Sequence, residues 1–177
     1  MTPASSTVCT QMEAAAREYC QLIDQCNQCG KGQYWLRRME KLLPRIHSAV
    51  LSLQAPANMN CGYNFPNDDM RCELFMRLNQ VLINDNILWS GLDPIDLKHC
   101  LCEALADDFT DIYFDLKNGL EMLQQHPQQP NYAIGTWRTS FYKHWGQHLM
   151  DAESWLHAVE SRNYQSLSAA MQIFKMA

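Results

Sequence analysis

Glycine is scarce in this 177-residue chain, at 7 residues, and valine and isoleucine are sparse beside alanine, leucine, methionine, glutamine and glutamate. That balance works against sheet and predicts an all-α fold. No basic block occurs, and the formal net charge is -5, spread along the chain. A nucleic-acid partner is thereby excluded, since phosphate contacts need a cationic footprint. No apolar run approaches the span of a bilayer, and Met1 to Thr7 has neither a basic start nor an apolar stretch, so no membrane association is expected and the location predicted is cytoplasmic. Chemical fingerprints are missing too. Gly30-Lys31-Gly32 lacks the preceding glycine and the following Ser or Thr of a phosphate loop, and no nucleophile stands beside a general base.

What is present is ample core material, with 47% hydrophobic residues, enough for a single domain over 1–177 with 1–7 as a flexible N-terminal arm. The 8 cysteines are many for a chain expected to be cytoplasmic. Cys20, Cys72 and Cys100 fall among apolar helical positions and are expected to fill core as free thiols. Cys26-Asn-Gln-Cys29 has no convincing second CxxC pair, and no structural disulfide is expected there.

Apolar spacing read against turn signals predicts a helical bundle of about six helices. The first runs from near Val8 to Asn27. The second, from near Gln33 to Leu53, contains Pro44, which should kink it or split off its first turns. Residues 54–67 read as a loop, and Asp68 opens a third helix to about Ile83. Asp93-Pro94 begins a fourth, unbroken to about Gln124. The turn His126-Pro-Gln-Gln-Pro leads to a fifth from near Asn131 to Ser161, and a short sixth spans Tyr164 to Phe174. So short a turn makes the fourth and fifth helices a long antiparallel central hairpin, in which Asp111 lies level with Gly146, between His144 and His148.

Polar groups crowd that hairpin. Leu101, Leu105, Phe109, Ile112, Leu116, Leu120 and Leu123 make the buried seam of the fourth helix. At about 100° per residue, Asp108 and Asp115 flank it, Asp111 lies between them further out, and Asp107 points away. Like charges at i,i+4 repel, so a cationic partner is expected nearby. On the fifth helix Trp137, Phe141, Trp145, Ala152 and Trp155 trace the apolar stripe, with His148 near its centre and His144 at its edge. Gly146 makes sense if the facing helix approaches closely there.

Two readings follow. In one, His144 and His148 chelate a divalent metal (Zn, Mn or Mg) with one or more of Asp108, Asp111 and Asp115. In the other, the histidines hydrogen-bond the aspartates in a structural network, and Arg138, within about a turn of Asp115, supplies the positive charge. The structural reading is preferred, because a His pair at i,i+4 is common and the Glu of the zinc-protease motif is absent. Asp107-Asp108-Phe109-Thr110-Asp111 has the spacing of the isoprenoid-synthase motif, but no second motif accompanies it.

Leu105-Ala106-Asp107-Asp108 through Asp111-Ile112-Tyr113, then Asp115-Leu116-Lys117 and Gly119-Leu120, resembles the most recognisable block of a family of bacterial all-helical domains of unknown function. Trp137-Arg138, Phe141, His144-Trp145-Gly146 and His148 are similar to that family's downstream helix. The resemblance spans roughly residues 14 to 160 and implies the helical fold without implying an activity. The function expected is a cytoplasmic bundle acting through another protein or a second copy of itself, with no assured cofactor. The rival is a metal-dependent hydrolase of a phosphorylated small molecule, or a metal sensor.

Overall fold

The computed structural model describes the backbone of residues 3–26, 32–54, 67–84 and 95–175, and the side chains of 8–26, 34–54, 67–84 and 98–162. The elements are α1 (Pro3–Asp24), α2 (Gly32–Ser52), α3 (Asp68–Asn84), α4 (Ile95–Gln125), α5 (Asn131–Lys143) and α6 (Trp145–Lys175), with no strand among the described residues. Among these residues no helix is long and apolar enough to cross a membrane.

Helix α4 is the hub and packs against α1, α3, α5 and α6. Its leucine and aromatic row explains why. Leu101, Leu105, Phe109, Ile112 and Leu116 are buried, and Leu120 and Leu123 are partly buried against the same core. Large aromatic side chains with one polar atom tie neighbouring helices together. Trp35 Nε1 donates to the Leu22 carbonyl at 2.8 Å, and Tyr19 hydroxyl donates to the Phe109 carbonyl at 3.0 Å, both in the fully buried interior. Each such bond satisfies a donor that would otherwise cost about 1–3 kcal/mol to bury.

Several boundaries differ from those expected, each for a local reason. Helix α1 starts at Pro3, a residue suited to a first helical turn, so most of the expected N-terminal arm is helical. Pro44 does not split α2, which runs unbroken from Gly32 to Ser52. At α3 the cap is Asn67, whose Oδ1 accepts the Asp69 amide at 3.0 Å, while Asp68 and Asp69 occupy the positive end of the helix dipole. Asp93-Pro94, Cys29 and Cys61 lie outside the described residues. Cys72 and Cys100 are exposed and Cys20 is partly buried. Among the described residues the buried thiols are Cys9, Cys26 and Cys102.

The largest difference falls at His144. The sequence pattern runs on as one helix from Asn131, yet α5 ends at Lys143 and α6 begins at Trp145, with His144 between them at φ -148° and ψ -83°. No break follows near Ser161, where the sixth helix was expected to separate; α6 continues to Lys175. Trp145 fixes the break by donating its Nε1 to the Trp137 carbonyl (3.2 Å) and to Ser140 Oγ (2.9 Å). Restarting the helix resets its phase. Leu149, Ala152, Leu156 and Val159 continue the apolar face, and Trp155, expected on it, is 38% exposed.

The break also explains Gly146. A Cβ there would collide with the Phe141 carbonyl and press on its ring, so the closest approach comes from the end of α5. The glycine that brings α4 and α5 together is Gly119. A Cβ at that position would overlap the Trp137 indole, whose Nε1 donates to the Leu116 carbonyl at 3.0 Å.

Candidate metal centre

Contacts between α4 and the chain that follows it run in opposite order: Trp137 to Leu116, His144 to Asp115, His148 to Asp108. This register places Asp108, Asp111 and Asp115, spaced by three and four residues on one face of α4, beside two imidazoles, His144 at the α5–α6 break itself and His148 in the first turn of α6. His144 Nδ1 lies 2.7 Å from Asp115 Oδ2, and His148 Nδ1 lies 2.9 Å from Asp108 Oδ1. With both Nδ1 atoms committed to carboxylates, both Nε2 atoms turn toward one further oxygen. Asp111 Oδ2 is 3.2 Å from His148 Nε2 and 3.8 Å from His144 Nε2.

The three aspartates are buried, His148 is half-buried and His144 is 42% exposed, so the cluster meets solvent at His144. Burial raises the pKa of the Asp108 carboxyl, against the lowering effect of His148. His148 is itself raised, chiefly by its hydrogen bond to Asp108, opposed by burial and reinforced by the charges of Asp111, Asp108 and Asp107. Asp108 Oδ2 is buried and makes no hydrogen bond, which leaves one lone-pair face of that carboxylate unanswered.

The counter-charge that the aspartates require is Arg71, a residue the sequence reading did not single out. From α3 its Nε donates to Asp111 Oδ1 at 2.7 Å, and its Nη2 donates to Asp111 Oδ2 at 2.9 Å and to Asp107 Oδ1 at 2.8 Å. That fork is the bidentate geometry in which guanidinium and carboxylate bind most strongly. Arg138, expected in this role, has its Nη1 on the Leu53 carbonyl and its guanidinium 5.6 Å from the centre of the Tyr142 ring. The repulsion among aspartates was the available signal for a nearby cation. Which helix brings it is a matter of tertiary packing.

Asp111, His144 and His148 each offer one ligand atom, and the three atoms lie within 4.8 Å of one another. Around a tetrahedral zinc with bonds of about 2.0–2.1 Å, ligand atoms sit about 3.3 Å apart. The Asp111–His148 separation of 3.2 Å matches this, the Asp111–His144 separation is 3.8 Å, and with the three atoms within 4.8 Å of one another the more exposed His144 ring would have to draw in around a bound ion. The Nδ1 bonds to Asp115 and Asp108 are of the kind that fix ring orientation and raise ligand basicity in metal sites. A groove of about 340 Å³ lined by Gln11, Ala14, Ala15, Arg45, Ser48, Ala49 and Ser52 lies elsewhere, between α1 and α2, and includes none of these groups.

A family model described as a domain of unknown function (DUF5063) matches residues 4–162, nearly the whole chain and all of this cluster. The chain belongs to the DUF5063 family. Among curated proteins none matches it. Among solved structures the DUF5063 chain is similar to the crystal structure of protein BF1032 from Bacteroides fragilis, at 18% identity and a TM-score of 0.65, covering 85% of this chain and 90% of that one. At that identity the likeness shows the shared helical fold and nothing about activity.

Proposed function

We propose that this helical domain binds a divalent metal ion through His144 Nε2, His148 Nε2 and Asp111, with Asp115 and Asp108 orienting the two imidazoles. The observation that carries the reading is the direction of the rings. Each histidine has its Nδ1 on a separate buried aspartate and its Nε2 aimed at the same Asp111 oxygen. A network built only to satisfy two imidazoles has no need to converge both remaining nitrogens on one atom. A chelating site does. Three protein ligands leave at least one coordination position, reached from the exposed side of His144, which suits either reversible sensing or activation of a bound water for hydrolysis.

A second reading is favoured by Arg71. Its fork answers both oxygens of Asp111, so the cluster also satisfies itself as a structural network that stiffens a protein-docking bundle. Metal content separates the two. Protein purified without a metal-affinity tag is analysed by elemental mass spectrometry beside His148→Ala, the variant correcting for metal held by cysteines. The metal reading expects a stoichiometric divalent ion in the wild type that the variant lacks. Equal contents, together with melting points indifferent to added Zn²⁺ or Mn²⁺, would leave the structural network as the function of the cluster.

A further inference from the structure

We infer that Arg71 competes with the metal ion for Asp111, so that filling the site weakens the hold of α3 on α4. This rests on the metal-binding reading above. Asp111 is the shared element. Its Oδ2 faces both imidazole Nε2 atoms and also accepts Arg71 Nη2, while its Oδ1 accepts Arg71 Nε. An ion bonded to Oδ2 would share that oxygen with Arg71 Nη2, and the carboxylate would have to divide its charge between two cations.

Arg71 has somewhere to go. Asp107, one turn earlier on α4 and 45% exposed, already accepts Nη2 at 2.8 Å. Release from Asp111 therefore does not strand the guanidinium, which keeps its bond to this exposed carboxylate, but it removes two of the three hydrogen bonds by which Arg71 holds α3 to α4. The consequence reaches α3 because Arg71 continues that helix's buried row of Leu74, Leu78 and Leu82, one turn toward its start. Its principal packing partner is α4. Those leucines hold the body of α3 by apolar burial, and Arg71 alone in that row bonds its first turns to the cluster. Linkage then requires reciprocity: whatever factor Arg71 takes from metal affinity, metal takes from the docking of α3 at that end.

The test uses the full chain and Zn²⁺ as probe, counting only the Zn²⁺ that His148→Ala does not bind. Affinity is measured against a chromophoric chelator for wild type, Arg71→Gln and Arg71→Lys, and hydrogen exchange is followed at the amides of residues 69–75. Arg71→Gln is expected to bind Zn²⁺ on the order of tenfold more tightly than wild type. Arg71→Lys, a point charge without the fork, should fall between them, and it serves alone if the glutamine variant does not fold. In wild type, Zn²⁺ should speed exchange at the start of α3, and in Arg71→Gln it should leave exchange unchanged. Equal affinities overturn the competition while metal binding stands. Tighter binding with no effect on α3 exchange overturns it as well, reducing Arg71 to a distant repelling charge. If folded wild type and variants all fail to bind Zn²⁺, the metal reading itself has failed.

Discussion

His148 holds Nδ1 2.9 Å from Asp108 Oδ1 and Nε2 3.2 Å from Asp111 Oδ2, spanning two buried carboxylates with one ring. A single imidazole thus joins the start of α6 to the middle of α4, at the level where like charges on α4 would otherwise face one another. Its removal should be felt in both stability and metal response. His148→Ala is expected to cost about 1–3 kcal/mol by leaving Asp108 without its donor. Thermal melts with chelator and with excess Zn²⁺ check both parts. Wild type should melt higher with metal and the variant should not, whereas a variant that gains as much as wild type would remove His148 from the ligand set.

Asp108 touches no metal in the proposed arrangement, so it tests orientation separately from ligation. Asp108→Asn keeps the size of the group and loses the charge that holds His148 in place. Metal affinity should fall about 10- to 100-fold without vanishing. Asp111→Asn, which removes a ligand, should reduce it further. Titration against a competing chelator gives the ranking, and the reverse order would exchange the roles assigned to the two residues.

The raised pKa of His148 fixes the sign of a pH effect. Because the hydrogen bond to Asp108 lifts the folded value above the usual 6.5, the stabilisation from this group is fully present below about 6.5 and is lost as pH rises through the folded value. Urea unfolding of wild type and His148→Gln should differ more at about pH 5.5 than at about pH 8.5. Metal affinity should move oppositely and increase over the same interval, since the Nε2 proton must leave before that nitrogen can bind an ion. A stability gap that widens with pH would contradict the assignment.

Gly119 tests the register that aligns the cluster. Alanine there would force its methyl into the buried Trp137 indole and disturb the bond from Nε1 to the Leu116 carbonyl. A loss of about 1–3 kcal/mol in equilibrium unfolding is expected from overpacking. Metal affinity should drop with it if the α4–α5 contact sets the spacing between Asp115 and His144. An alanine variant as stable as wild type would mean that Trp137 has room to move.

The amino-acid sequence determined the helical class, the long α4 and the face it buries, because Leu101, Leu105, Phe109, Ile112 and Leu116 recur at helical spacing without a breaker. It also put the aspartates level with the histidines, since a short turn followed by a constant rise per residue makes position along a hairpin a matter of counting. Two things escaped it. The break at His144 has no proline, and its one trace in the chain, Gly146, reads equally as room for a facing helix; it is held by Trp145 reaching back to Trp137 and Ser140, so only the packed structure shows that α6 restarts there and turns Trp155 outward. Repulsion among Asp107, Asp111 and Asp115 called for a cation but could not say which, because charge acts through space while the chain records only order. The packing of α3 on α4 decided for Arg71, and with it made Asp111 the point where a helix contact and the candidate metal site meet.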